Sequence, residues 1–248
     1  LMPNMMEVLA RNYTRNIDKV NAFEIGNTFV NNTTEDDVLP YEQYALCIGM
    51  YGKDEDFFSL KGVVEELLRV LGIKSVMFTG ESDLGSFHPG RCARISVLKD
   101  GGEEPVPLGV MGEVHPDVAE QYGMDGVRVY CCELMFDTIK ACSDRTILYT
   151  PLPKYPSTSR DIALLVEENL EVGRIEALIR KEGGKILENV KLFDVYRGKQ
   201  VDEGKKSVAF NLTYRDKDKT LTDEDVAEVH NKVLEALEHK LNAVLREM

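Results

Sequence analysis

Cysteine is scarce in this sequence of 248 residues, and the five present follow no usable pattern. Their number is odd, no C-x-x-C occurs, and Cys131 and Cys132 are adjacent. That spacing lacks the ligand pattern of a zinc site, and free thiols in a reducing cytoplasm are expected. Long apolar runs are missing as well. Nothing approaches the roughly 20 residues of a membrane-spanning helix, and no secretory-signal pattern is present. Neither G-x-G-x-x-G nor G-x-x-x-x-G-K occurs, so no glycine-rich phosphate cradle is predicted. There is no excess of positive charge either: the formal net charge is −13.

That charge is unevenly placed. Residues 1–150 hold 13 basic and 24 acidic side chains, whereas residues 151–248 hold 17 and 19. Between 185 and 219 basic residues outnumber acidic ones by 9 to 6. A nucleic-acid contact in the second half therefore has only a modest phosphate contribution, and the acidity of the first half serves solubility. Ordinary hydrophobic content at this length predicts a globular chain of one or two domains.

The most informative stretch is 186–226. Two alternating runs flank a turn from Gly198 to Gly204, the pattern of a β-hairpin. Phe193 and Val195 are expected on one face of the first strand, with Asp194 and Tyr196 on the other. In the second strand Val208, Phe210, Leu212 and Tyr214 face one way, and Ser207, Ala209, Asn211 and Thr213 the other. Lys199, Lys205 and Lys206 sit at or beside the turn, most simply as a solvated loop. Thr222 with Asp225 three residues on predicts a capped helix, continued by Val226, Val229, Val233, Leu237 and Leu241.

Upstream, PLPKYPSTSRDIALLV predicts a strand with Ile162, Leu164 and Val166 inward. An amphipathic helix over 170–182 ends at Gly183-Gly184. With a short last strand within 242–246 the order is βαββαβ, a ferredoxin-like unit. Both helices then cover one sheet face. The open face carries Ala163, Leu165, Asp194, Tyr196, Ser207, Ala209, Asn211 and Thr213, with Arg160, Arg197 and Arg215 at the strand ends. One ring among small neighbours is suited to stacking a base, and rim cations to holding phosphates. Ordinary surface roles compete with this: Arg160 is equally explained by an ion pair with Asp161 or Glu167, and Ser207 as a plain strand serine.

LFDVYRGKQVDEGKKSVAFNLTYRDKDKTLTDEDV, preceded by PKYPSTSRDIALLV, resembles the C-terminal anticodon-binding domain of the phenylalanyl-tRNA synthetase β chain of bacterial type. The resemblance implies tRNA binding through Asp194, Tyr196, Ser207, Arg160, Arg197 and Arg215.

The first half opens on an amphipathic helix pattern, LMPNMMEVLARN, as a fragment of a longer protein would. A strand over NAFEIGNTFV is expected with Phe23 and Ile25 inward, then EQYALCIGMYG. A helix follows over 57–71 with Leu60, Val63, Val64, Leu67, Leu68 and Leu71 buried. Strands are expected at SVMFTG, CARISVLKD, VPLGVMGEV and VRVYCCELMF, with a short helix after Pro116. Much strand with few helices predicts an α+β domain built on an antiparallel sheet.

AFEIG, DFFSLKGVVEELL, FHPGRCARI and LGVMGEVHP are similar, in order, to the catalytic-like module of the same family, a class II synthetase fold without activity. Accordingly FEIGNTF has no arginine for an ATP α-phosphate. VRVYCCELMFDTI lacks the glycines and following arginine that a γ-phosphate needs. Uncompensated phosphoryl charge removes what is usually the largest catalytic contribution, so no catalytic residue is expected here. The resemblance implies chemistry in a separate α subunit, in an assembly of two α and two β chains using ATP and magnesium. It also implies that upstream β-chain domains, the editing site included, lie outside this chain.

The expected organisation is a class II synthetase-like, non-catalytic module over 1–150 and a ferredoxin-like anticodon-binding domain over 151–248, joined at TPLPKYP. Two other functions suit such folds: an amino-acid-sensing regulatory module with Gly183-Gly184 in its ligand loop, or a scaffold holding the α subunit. His88 and His115 in His-Pro turns are expected to be structural rather than metal ligands. His230 and His239 are expected to be solvated, and Arg91, Asp144 and Arg145 show no organised partners.

Overall fold

Alternation along EQYALCIGMY gives the second strand of the first unit two apolar faces. Those faces take up different helices. The computed structural model describes residues 1–31, 39–98, 104–146, 148, 149, 151–198 and 201–246. The chain divides into two compact units, Leu1–Ile147 and Leu148–Met248.

In the first unit α1 (Met2–Tyr13) leads into β1 (Val20–Val30), β2 (Tyr41–Tyr51), α2 (Phe57–Val70), β3 (Val76–Gly80) and β4 (Phe87–Val97). Then come β5 (Val106–Val114), α3 (Pro116–Gln121), β6 (Val129–Met135) and α4 (Phe136–Cys142). The six strands form one antiparallel sheet in the order β1-β2-β6-β5-β4-β3. On one face Leu46, Ile48, Met50, Cys132 and Leu134 bury against Leu60, Val64 and Leu68 of α2 and Ile139 of α4. On the other, Cys47, Tyr51, Cys92 and Cys131 bury against Met5, Met6 and Leu9 of α1. The two clusters come from alternate residues of the same strands, as a two-residue repeat requires.

A row of small residues lets α1 approach. Cys92, Gly112, Cys131 and Gly49 are register partners across β4, β5, β6 and β2. A Cβ on Gly49 would lie 2.5 Å from Cγ of Met5 and 2.8 Å from its sulfur. Helix α2 starts at a reciprocal cap in which Asp56 and Ser59 each bond the other's backbone N–H. That satisfies two of the donors a helix N-terminus leaves open.

Two sequence expectations change in this unit. Phe23 and Ile25 do face the α2 side of the sheet, as partners of Ile48 and Leu46. Yet Phe23 is 73% and Ile25 49% exposed, because β1 is the sheet edge and α1 meets it from the other face. Val63 likewise is exposed rather than buried, on the flank of α2.

The second unit runs β7 (Thr158–Glu167), α5 (Val172–Gly183), β8 (Leu187–Tyr196), β9 (Lys205–Tyr214), α6 (Asp223–Leu241) and β10 (Val244–Leu245). The sheet order is β10-β7-β9-β8, all antiparallel, the ferredoxin-like βαββαβ arrangement. Ile162, Leu164, Val166, Val190, Val208, Phe210, Leu212 and Tyr214 bury against Ile175 and Ile179 of α5 and Val226, Val233 and Leu237 of α6. Helix α6 begins at Thr222, which accepts from Asp225 N–H while the Asp225 carboxylate accepts from Thr222 N–H. It ends at Asn242 in the left-handed conformation, φ 50°. The architecture as a whole is α+β, an antiparallel-sheet domain followed by a ferredoxin-like one.

Candidate nucleic-acid interface

The helices of the second unit cover one face of its sheet, and alternation sends a second set of residues to the other. Register fixes these in rows. Tyr196, Ser207, Leu165 and Val244 form one row across all four strands. Asp194, Ala209 and Ala163 form the next, and Lys191, Asn211 and Asp161 the third. Neighbouring strands lie roughly 4.8 Å apart, so the first row spans about 14 Å, a width that fits a nucleobase and its neighbour.

The floor of this face is small. Ala163, Ser207 and Ala209 are buried, while Tyr196 is 38% exposed. Asp194 is exposed and its carboxylate makes no hydrogen bond or ion pair with another described residue, which leaves the carboxylate oxygens as acceptors. In the third row Asn211 donates its amide to Asp161 Oδ1 at 2.6 Å. Lys191 beside it is exposed and has no ion pair with a described residue. Sequence reasoning had passed over Lys191. Alternation gave no signal for it: Lys191 shares the odd phase of Phe193 and Val195, which is expected inward, and only the bulge carries it to the open face.

That register contains an irregularity. Leu192 pairs with Phe210 and Asp194 with Ala209, so Phe193 is the extra residue of a bulge. Phe193, expected inward beside Val195, is instead 51% exposed. Val195 opposite Val208 keeps the inward phase, and Asp194 and Tyr196 keep the outward one.

The arginines do not form a rim around this face. Arg160 is the register partner of the core residue Leu212, so it belongs to the helix-covered face. Its guanidinium donates to Asp223 in the first turn of α6 at 2.8 Å, and not to Asp161 or Glu167. Arg197 follows Tyr196 and donates to Glu168 at 2.6 Å. Arg215 lies beyond the opposite end of β9, about 26 Å along the strand from Ser207 at roughly 3.3 Å per residue. It bonds Glu188 at 2.9 Å and the Tyr155 carbonyl at 2.6 Å. The structure thus brings Asp194, Tyr196 and Ser207 together, adds Arg197 near one end, and separates Arg160 and Arg215 from them.

Other expectations are corrected on the same evidence of packing. Lys206 is no loop lysine: it is a buried residue of β9 whose Nζ donates to the Glu168 carbonyl at 2.8 Å. Burial pulls its pKa down. Lys205 opens β9 and pairs loosely with Asp202, and Lys199 lies outside the described residues. His230 is half-buried, with Nδ1 3.0 Å from the hydroxyl of Tyr214. Burial pushes that phenol up to about 12 and the imidazole down. Arg91 has a partner, the buried Glu113, at 2.9 Å. His88 and His115 accept from the N–H groups of Gly90 and Asp117. Among the described residues no group of three or more potential ligands could hold a metal. Gly183 is packed against the Leu187 side chain, and Gly184 ends α5 at φ 60°; the glycine pair is thereby accounted for by packing and helix termination.

The phenylalanyl-tRNA synthetase β-chain CLM domain matches residues 1–136, more than half of the chain. The chain belongs to the phenylalanyl-tRNA synthetase β-chain family. A ferredoxin-fold anticodon-binding domain matches residues 153–246, the unit that carries the open face. Among curated relatives, the phenylalanine–tRNA ligase beta subunit of Clostridium acetobutylicum is 46% identical over 243 residues, covering 98% of this chain and 30% of that protein. Those of Clostridium tetani and Bacillus subtilis are 44% and 38% identical, each covering 99% of this chain. The chain spans about 30% of the length of the relatives it matches. Burial pushes the Cys47 thiol up to about 12 and the Cys92 thiol up to about 11, so neither is a ready nucleophile. No helix of the described residues is long and apolar enough to cross a membrane.

Proposed function

We propose that this chain is the C-terminal part of the β subunit of a cytoplasmic phenylalanine–tRNA ligase. Its second unit binds the tRNA anticodon on the open sheet face, and its first supports a catalytic α subunit. The assembled enzyme, two α and two β chains, joins phenylalanine to tRNA with ATP and magnesium. The chain itself contributes recognition and scaffolding. The carrying observation is the pair of rows Tyr196–Ser207–Leu165 and Asp194–Ala209–Ala163. A base can stack on the exposed phenol above a small-residue floor, while the Asp194 carboxylate accepts from a base edge; stacking contributes roughly 1–3 kcal/mol per base. Lys191 supplies a cation on the face itself, whereas the charges of Arg160, Arg197 and Arg215 are already opposed by carboxylates.

Titration of the chain with a tRNA transcript carrying a GAA anticodon, and with the same transcript carrying a different anticodon, tests this. Tighter binding of the GAA transcript at every salt concentration is expected; equal binding of both overturns anticodon recognition.

A separate observation supports the scaffolding role. Phe23, Ile25 and Phe29 leave an exposed apolar strip along β1 in an otherwise acidic half, the pattern of a surface that meets a partner. Light scattering of the chain with the α subunit is expected to give a complex that Phe23→Asp weakens. Absence of any complex at micromolar concentration would count against it. The amino-acid-sensing alternative loses its motive, because packing against Leu187 and the end of α5 explain Gly183 and Gly184.

A further inference from the structure

The hairpin joining β8 to β9 is bounded by two glycines that serve different needs. Gly204 has φ +82°, a backbone conformation strained for any L side chain, and a Cβ there would meet nothing within 4 Å. Its backbone demands glycine; its surroundings do not. Gly198 is the reverse. Its φ lies outside the left-handed region, so conformation does not demand glycine. A Cβ on Gly198 would instead lie 2.5 Å from the Tyr196 hydroxyl oxygen, 2.7 Å from Cζ and 3.2 Å from Cε1. The outer edge of the Tyr196 ring fills the space that a side chain at residue 198 would take.

We propose that Gly198 is a positioning residue for anticodon binding: by lacking a side chain it lets the Tyr196 ring lie back along the chain and holds it in the stacking pose. The proposal rests on Tyr196 being the stacking ring of the open face. The ideal Cβ position of residue 198 lies inside contact distance of the ring edge, so a side chain at 198 competes directly with the ring for one volume. The ring tip is the free end of its side chain and can swing away without disturbing the core. The substitution is therefore felt in the pose of the ring and not in the fold. A ring already held in its bound pose also avoids the ordering cost of a mobile side chain.

The test is a double-mutant cycle on the 248-residue chain with a GAA-anticodon tRNA transcript as probe. Gly198→Ala is expected to weaken binding roughly three- to tenfold, the size of ordering one side chain, with its melting temperature unchanged. Gly204→Ala is expected to do the opposite: a lower melting temperature and unchanged affinity of the folded chain. In the Tyr196→Ala background Gly198→Ala should add nothing, because residues acting through one ring are not additive. An equal loss from Gly198→Ala with and without the ring overturns the proposal, as does no loss where Tyr196→Ala alone weakens binding. If Tyr196→Ala itself binds like the parent, the stacking assignment fails. The ring resonances of Tyr196 in a tyrosine-labelled sample then decide the positioning by themselves: their displacement in Gly198→Ala supports it, and unchanged resonances overturn it.

Discussion

The two sheets use small residues for opposite ends. In the first unit Gly49, Gly112 and Cys131 lie in a row so that α1 can settle onto the strands. In the second unit Ala163, Ser207 and Ala209 lie in comparable positions with no helix of that unit above them among the described residues. A sheet face of small residues that is covered is a packing surface. The same chemistry left open, with a ring and a carboxylate at its margin, is a receptor. Composition alone does not distinguish the two; the placement of helices does.

The sharpest way to break this comparison is to alter adjacent residues on opposite faces of β9. Phe210→Ala removes a fully buried ring and is expected to cost about 3–5 kcal/mol of unfolding free energy, read by denaturant titration. Ala209→Leu next to it, at a buried alanine, should cost less, about 1–3 kcal/mol for overpacking, while lowering tRNA affinity by filling the floor. If both act on stability alike, the open face is a packing surface after all.

A smaller effect separates the ring from the cation. Tyr196→Ala should weaken tRNA binding by about 1–3 kcal/mol and leave its salt dependence unchanged, since stacking releases no counterions. Lys191→Ala should weaken binding less but flatten the dependence of log K on log salt by about 0.7 for one phosphate contact. Arg160→Ala should leave that slope unaltered, because its guanidinium faces the helices and Asp223.

The smallest effect lies away from both sheets. The Lys219 ammonium and the Thr222 backbone N–H hold the Asp225 carboxyl at about 2, below its usual 3.8. The folded-state pKa is depressed, so the stabilisation is present above pH 4 and fades as pH falls towards 2. Asp225→Asn should flatten that limb of the acid-unfolding curve of the second unit by lowering stability at neutral pH, and its curve should meet the parent's near pH 2.

Much of this was legible in the sequence. The hairpin, both helices of the second unit, the Thr222–Asp225 cap and the outward phase of Asp194, Tyr196 and Ser207 follow from alternation and capping chemistry. Periodicity reports which face a residue takes, however, not whether anything covers it. Phe23 and Ile25 take the expected face of β1 and remain exposed, because edge position is a property of strand order. Periodicity is also blind to an inserted residue, so Phe193 was assigned inward when a bulge leaves it out. The arginines failed for a related reason. Proximity to a strand end says nothing of phase, and Arg160 shares its phase with Ile162 and Leu212.

The row beneath α1 gives the first unit a chemical gauge of its own opening. Cys47 and Cys131 are fully enclosed under Met5, Met6 and Leu9. A thiol-modifying reagent meets them when that helix lifts, so the pace of modification, compared with that of a free thiol, measures how often it lifts. A lid made of two methionines and a leucine over a floor of glycine and thiol is thus a clock as well as a seal.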